Sequence, residues 1–419
     1  MNETARPKQA EWREGQAAMK AGQIARAHEL FHKSASAGFA PAQFDLGRLL
    51  VFGLVEGADA AEGVEWLRRA EAERHAPATY QLATLAMGER LVPFEATQVL
   101  ERVRTAAEAG HSRALTTLAV FYGEDPSADL RALGTLCLEH AAMRGDEIAM
   151  ALLAFRLVKG RDVAANVPRA AAMLDLLTSR GLALPTMAPN IRRASPAPLG
   201  LGQLPTLPLP RVGVLDTTAG DGNELCVAPR IREYAQHVSD EQCMAVMLTA
   251  TRHLKPSKTA DPEGRWVKVG VRTSDEALID PLLEDVVLRQ VQRRMAAVAG
   301  LPVTHAEPLI VLRYSAGQEY KPHSDCLPDA LVTPLEQGGS GQRAATVITY
   351  LNASFTGGAT TFPRLDLRVE PRAGSVLCFS NLGADGKPDV GAVHAGEPVS
   401  AGLKWICTLW MRQGPYRQQ

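Results

Sequence analysis

The sequence has no surplus of either charge: 45 Lys and Arg stand against 46 Asp and Glu, a formal net charge of −1. Recognition of a phosphate backbone needs a basic footprint, so nucleic acid is not expected as a main partner. Nor is there a run of eighteen apolar residues, and a membrane-spanning helix is not expected either. The opening residues, Met-Asn-Glu-Thr-Ala-Arg-Pro-Lys, are polar and lead into no apolar run of the export-signal kind. Cysteine is sparse and unpatterned. The six thiols, at 137, 226, 243, 326, 378 and 407, lack paired spacing, which fits reduced side chains in a cytoplasmic protein. What remains is 46% hydrophobic and 22% charged, the balance of a soluble globular protein, and 419 residues are too many for one ordinary core.

The first half repeats itself. Ala42, Ala78, Ala114 and Ala149 lie 36, 36 and 35 residues apart, with Leu46, Leu82, Leu118 and Leu153 following each by four. Gly53, Gly88, Gly123 and Gly160 keep step and are expected to end helices in the left-handed conformation. Two helical patterns per unit and a period of about 35 predict a solenoid of antiparallel helix pairs, small residues allowing close crossing and Leu and Phe filling the seam. About four units span residues 10 to 160, with Ala170 to Gly181 as a degenerate capping helix. The pattern resembles the Sel-one-like branch of the tetratricopeptide repeats, a resemblance that implies recruitment of proteins or peptides. Trp66, His75 and His111 are read as packing or surface residues.

Composition then shifts. Seven prolines fall between Pro185 and Pro210, and residues 183–227 read as a linker of polyproline character rather than as a ligand. The divisions are therefore a repeat domain at 1–182, the linker, and a second domain at 228–415. In the latter, Ser239-Asp-Glu-Gln is a capping box that predicts a helix to about His253. Asp280-Pro281 predicts another, ended by Gly300 and Pro302. Short β-rich runs follow at 308–314, 346–352, 366–370, 375–380 and 404–412.

The chemistry sits in those runs. In an extended strand His323 and Asp325 point to the same face and can grip one metal ion together. His394 supplies a second imidazole. Two histidines and one carboxylate leave half of an octahedron open, as a non-haem Fe(II) oxygenase requires. Around the pair stand Arg-Ala-Ala-Thr-Val-Ile-Thr-Tyr-Leu-Asn (343–352), Gly-Gly-Ala-Thr-Thr-Phe-Pro (357–363), Arg-Ala-Gly-Ser-Val-Leu-Cys-Phe (372–379) and Lys404-Trp405. Upstream lies Val-Arg-Thr-Ser (271–274).

This ordered series resembles the prolyl 4-hydroxylase-like branch of the Fe(II)/2-oxoglutarate dioxygenases over nearly half the chain. The resemblance implies a double-stranded β-helix, or jelly-roll, with supporting helices, and so a multidomain α + β protein. It also implies Fe(II) at His323, Asp325 and His394, 2-oxoglutarate and dioxygen as co-substrates, and ascorbate to restore oxidised iron. Alternation on the last strand puts Lys404, Ile406, Thr408 and Trp410 on one face. A lysine buried there needs an anion, and the resemblance supplies the distal carboxylate of 2-oxoglutarate, with Tyr314 and Thr408 beside it. Tyr320, Arg343 and Trp410 match positions that line a peptide groove, whereas Arg412 stands where related enzymes commonly have histidine. The expected substrate is a prolyl residue in a protein or peptide, with a small molecule, or an inactive repeat scaffold, as alternatives. Residues 326–342 read as a mobile lid, and Cys326 as a loop thiol.

Overall fold

In a computed structural model of the chain, the described residues are 5–182, 204–260, 266–267 and 270–417. They form two compact units, one of residues 5–146 with 204–214, the other of 147–182 with the described part of 215–417.

The first unit is four antiparallel helix pairs. They are α1 (Ala5–Lys20) with α2 (Ile24–Ser36), α3 (Ala40–Val51) with α4 (Ala60–Ala72), α5 (Ala76–Ala86) with α6 (Ala96–Glu108), and α7 (Ser112–Gly123) with α8 (Ala128–Met143). Ala42, Ala78, Ala114, Leu46, Leu82 and Leu118 are fully buried, which is why they recur. Gly47 and Gly63 meet where α3 crosses α4: a Cβ on Gly47 would stand 2.8 Å from the Gly63 carbonyl oxygen. The expected left-handed glycines are only partly found. Gly53 and Gly160 have φ of 61° and 64°, but in the second repeat Glu89 takes that conformation in place of Gly88, and Gly123 remains inside α7. Arg74, just after α4, takes the left-handed conformation too, so non-glycine residues close helices there as well.

A fifth pair, α9 (Glu147–Lys159) and α10 (Val167–Ser179), belongs to the second unit. Its tie is Arg156, fully buried, whose Nε and Nη2 fork onto Glu241 at 2.7 and 2.8 Å. The compact units part at Asp146. Glu241 lies in the first turn of α11 (Asp240–Thr251), whose capping box is present: Ser239 Oγ accepts from Gln242 N, and Gln242 Oε1 accepts from Ser239 N. The next helix, α12, runs Val286–Ala299 and is capped by the Asp285 carboxylate; Asp280-Pro281 opens only a short turn, because Glu284 and Asp285 return to extended backbone before the helix begins.

The strands β1 (Asn223–Cys226), β2 (Ile231–Tyr234), β3 (Lys255–Pro256), β4 (Thr259–Ala260), β5 (Trp266–Val267), β6 (Asp275–Leu278), β7 (Ile310–Ser315) and β8 (Tyr320–His323) come first. After them run β9 (Arg343–Tyr350), β10 (Phe355–Gly357), β11 (Thr360–Phe362), β12 (Leu367–Val369), β13 (Val376–Ser380), β14 (His394–Gly396) and β15 (Val399–Arg412). A large sheet has the order β1-β2-β13-β9-β15-β7-β6-β3, with β10 also on β15, and a smaller one the order β12-β11-β14-β8. Side chains of both meet in one core that includes Tyr314, Ile348, Tyr350, Phe379 and Ile406 from the large sheet and Phe362 and Val369 from the small. This is the jelly-roll the motifs imply. The outer face of β15 (Trp405, Cys407, Leu409, Met411) is also buried, with Cys407 Sγ 3.9 Å from Met295 of α12. Strand β1 lies in the stretch read as linker; of that stretch, 183–203 falls outside the described residues. No helix among the described residues is long and apolar enough to cross a membrane.

Candidate active site

Two strands of the small sheet bring the histidines together. In the β8–β14 register His323 stands directly opposite His394, so residues 71 apart in sequence become a cross-strand pair with ring centroids 4.2 Å apart. Asp325 is not in the strand as expected: it lies just past the end of β8, and its carboxylate is placed by side chains instead. Thr346 Oγ1 donates to Asp325 Oδ2 at 2.7 Å, and Asn381 Nδ2 donates to the same hydroxyl at 2.9 Å. Oδ1 lies 3.7 Å from His323 Nε2, and Oδ2 lies 3.6 Å from His394 Nε2. The three ligand atoms fall within 4.8 Å of one another.

Each imidazole has its tautomer set by the main chain. His323 Nδ1 donates to the Lys321 carbonyl at 2.8 Å and His394 Nδ1 to the Ala392 carbonyl at 3.1 Å, which leaves both Nε2 lone pairs facing Asp325. Burial, with the second imidazole beside it, pushes the His323 pKa well below its usual range, so the ring is neutral at pH 7. Burial alone would raise the Asp325 carboxyl. The positive charge that either imidazole would carry if protonated, the Arg343 guanidinium and the Thr346 hydroxyl outweigh it and keep the group below its usual range. Tyr320 stacks on His323 at 3.4 Å and 14°, and Phe379 meets the His394 ring edge-on at 4.7 Å. Two imidazoles, an ionised carboxylate and one open side make a donor set that fits Fe(II).

The triad opens on a cleft whose wall includes Tyr314, Tyr320, Lys404, Thr408 and Trp410. Register explains the grouping: on β15 Lys404 stands opposite Tyr314 of β7, and Thr408 opposite Ile348 of β9. Lys404 is 2% exposed, and its Nζ donates to the Gly358 carbonyl at 2.7 Å. Its ammonium lies 5.3 Å from the centre of the Tyr314 ring. Among the described residues it makes no ion pair. Burial pushes its pKa down to about 8, against the opposing charge of Glu397.

The chain matches the family described as the 2OG-Fe(II) oxygenase superfamily over residues 309–412. It is 32% identical over 209 residues to probable prolyl 4-hydroxylase 3 of Arabidopsis thaliana, an alignment that covers 45% of this chain and 71% of the plant protein. The chain belongs to the prolyl 4-hydroxylase-like 2OG-Fe(II) oxygenases. Fe(II) and 2-oxoglutarate are the cofactor and co-substrate that this family and the triad imply. Among solved structures, the oxygenase resembles the viral collagen prolyl hydroxylase of Paramecium bursaria Chlorella virus-1 (26% identity, 45% of this chain and 98% of that one, TM-score 0.35). A Sel1 repeat protein from Oxalobacter formigenes is similar at 25% identity over 42% of this chain and 71% of its own, with a TM-score of 0.36.

Around the oxygenase site not every expected residue lines the cleft. Arg343 sits behind it, buried, with Nε and Nη2 each 2.8 Å from Glu307, Nη1 3.2 Å from the Asp325 carbonyl, and its guanidinium 3.5 Å from the Trp410 ring centre. Arg412, the departure from the usual histidine, donates to the same Glu307 at 3.0 Å. The loop 326–342 contributes nothing to the wall of the cleft. It is stapled instead: Gln342 bonds Leu327 N and O at 2.7 and 2.9 Å, and Ser340 Oγ donates to the Pro415 carbonyl at 2.6 Å. The lid expected there is thus a tied-down loop at the end of β15. Cys326 donates to the Asn381 carbonyl, and burial raises its pKa, so it stays a thiol.

Three contributors escaped the sequence reading. Thr346 shares a strand face with Ile348 and Tyr350, and that alternation was a usable signal. Arg272, on the cleft wall and 3.2 Å from Glu276, lies inside the motif Val-Arg-Thr-Ser. Asn381 comes from a loop and gave no signal.

Proposed function

We propose that this oxygenase hydroxylates a prolyl residue in a protein or peptide, with decarboxylation of 2-oxoglutarate to succinate. The observation that carries the reading is a two-histidine and carboxylate triad and a buried lysine that makes no ion pair among the described residues, in one cleft. The prolyl acceptor is supported by the prolyl 4-hydroxylase names of the curated relatives.

His323, Asp325 and His394 hold Fe(II). With iron and 2-oxoglutarate in place, dioxygen is consumed, one oxygen atom entering succinate and the other a C–H bond of the substrate. The remaining work belongs to the chain. Lys404 offers its ammonium to the distal carboxylate of 2-oxoglutarate, with the Tyr314 and Thr408 hydroxyls beside it, so the co-substrate enters in one orientation. Its desolvated cation gains more from that carboxylate than an exposed lysine would. Tyr320 and Trp410 face the substrate, and Arg343 acts through Trp410, whose ring it covers. Phe362 and Phe379 wall His394 from water. Ascorbate serves to re-reduce iron between turnovers. Six free thiols support a reducing, cytoplasmic setting.

The test is incubation of the Fe(II)-loaded protein with 2-oxoglutarate and a library of prolyl peptides, followed by mass spectrometry. Products heavier by one oxygen, with equal succinate, are expected. Full turnover by His323→Ala or Asp325→Ala would overturn the ligand set.

A further inference from the structure

The repeat unit already holds an extended, proline-rich peptide, and that peptide is its own chain. Residues 204–214 belong to the first compact unit, with no helix or strand before Val212. Within Leu-Pro-Thr-Leu-Pro-Leu-Pro-Arg (204–211), burial recurs at every third residue: Leu204 is half-buried, and Leu207 and Pro210 are buried. Pro205, Thr206 and Pro208 face out. Three is the period of a polyproline II helix, which presents one edge to a surface and leaves its carbonyls free to accept.

The receiving surface is the C-terminal end of α7 and the turn after it. Tyr122, fully buried, donates its hydroxyl to the Pro208 carbonyl. Asp125, 5% exposed, accepts from Arg211 Nε at 3.2 Å through Oδ2, while its Oδ1 accepts from Ser127 N at 2.8 Å and is thereby oriented. A phenol that reads a prolyl carbonyl, a seat for Leu207 and a carboxylate for a terminal cation together make a three-point reader. Within the stretch that reads as a linker, Pro205-Thr-Leu-Pro208 followed by Arg211 is a Pro-x-x-Pro core with a flanking cation.

We propose that this surface is a docking site for proline-rich peptides of the pattern Leu-x-x-Leu-x-x-Pro-Arg supplied in trans, and that residues 204–211 occupy it in cis as an exchangeable strap. Two features favour exchange over permanent packing. Among the described residues no backbone-to-backbone hydrogen bond ties the strap to the helices, and the side chain of its outermost contact, Arg211, is 69% exposed. A cis occupant lowers the apparent affinity of any competitor by the fraction of time that the site stands open. The surface therefore answers to ligands matching the strap better than it matches itself. The proposal stands on this geometry and does not depend on the catalytic reading.

The probe is a fluorescein-labelled peptide, Leu-Pro-Thr-Leu-Pro-Leu-Pro-Arg-Val, titrated with the full chain and followed by anisotropy. Weak binding to the wild type is expected, tightened about tenfold or more by Leu207→Asp in the chain, which removes one buried leucine from the cis occupant. Tyr122→Phe with Asp125→Asn on the Leu207→Asp background is expected to abolish the gain, and a peptide carrying Asp in place of its second leucine is expected not to bind. If the Leu207→Asp chain, with the wild-type helical spectrum, binds the peptide no better than the wild type, the strap is permanent structure and the proposal fails. Should Leu207→Asp not fold, Arg211→Glu carries the same test from an exposed position: binding must tighten, and no change overturns the proposal.

Discussion

The two units spend charge in opposite ways. In the repeats Arg68 and Glu65 pair at the surface, 46% and 56% exposed, and buried Asp125 pairs with an exposed Arg211, while the interior is largely alanine and leucine. In the oxygenase unit arginines are sealed inside with glutamates: Arg156 with Glu241, Arg289 with Glu284, and Arg343 and Arg412 with Glu307. Apolar seams specify a helix pair and tolerate neighbours of similar shape. A buried fork accepts one geometry only, and that of Arg343 also reaches the Asp325 carbonyl. The repeats are thus specified locally and the oxygenase by long-range pairing.

The strongest way to break this contrast is at the triad. Asp325→Ala should remove succinate formation below detection while leaving the melting of the repeat helices unchanged; loss of both would mean the units do not behave as two. Next comes the buried fork. Glu241→Ala strands Arg156 without its carboxylate and should cost about 3–5 kcal/mol in urea unfolding of the second unit. A cost under about 1 kcal/mol would mean that water reaches Arg156. In the repeats, Leu118→Ala should cost about 2–5 kcal/mol through the cavity that it leaves.

A smaller effect is expected at Lys404. Its pKa is lowered to about 8, so the ammonium is fully present below that pH and is lost as pH rises through it. The KM for 2-oxoglutarate should therefore be flat below pH 7 and climb above pH 8, with iron affinity nearly constant, and Lys404→Met should be high and flat throughout. A wild-type profile as flat as the variant's would move the anion elsewhere. Smallest of all, Glu65→Ala should shift stability by no more than about 0.5 kcal/mol.

How much could be read beforehand follows the same division. Alanine and leucine at a fixed period announced the helix pairs, and alternation on β15 placed Lys404, Ile406, Thr408 and Trp410 on the cleft side. These are short-range patterns. The short strands β8, β11 and β14 carry too few residues for a period, and β14 is only three residues long. Asp325 was expected in a strand because nothing local says that β8 stops at His323; the reason is Thr346, twenty-one positions on. Arg343 matched a groove position, yet Glu307, thirty-six residues upstream, claims its fork. The start of α12 was placed too early because Asp280-Pro281 is a good helix opening by itself, and what overrides it is the burial of Glu284 between Arg289 and Arg417.

The pairing of His323 with His394 has a mechanical corollary. Slippage of β8 against β14 by a single residue would turn one imidazole to the far side of the small sheet, so a ferrous ion held by both can bind in only one alignment. Such an ion would act as a clasp on an edge strand, its binding energy returned to the sheet as resistance to shear. Iron bound at this triad would be both a reagent and a pin across two strands.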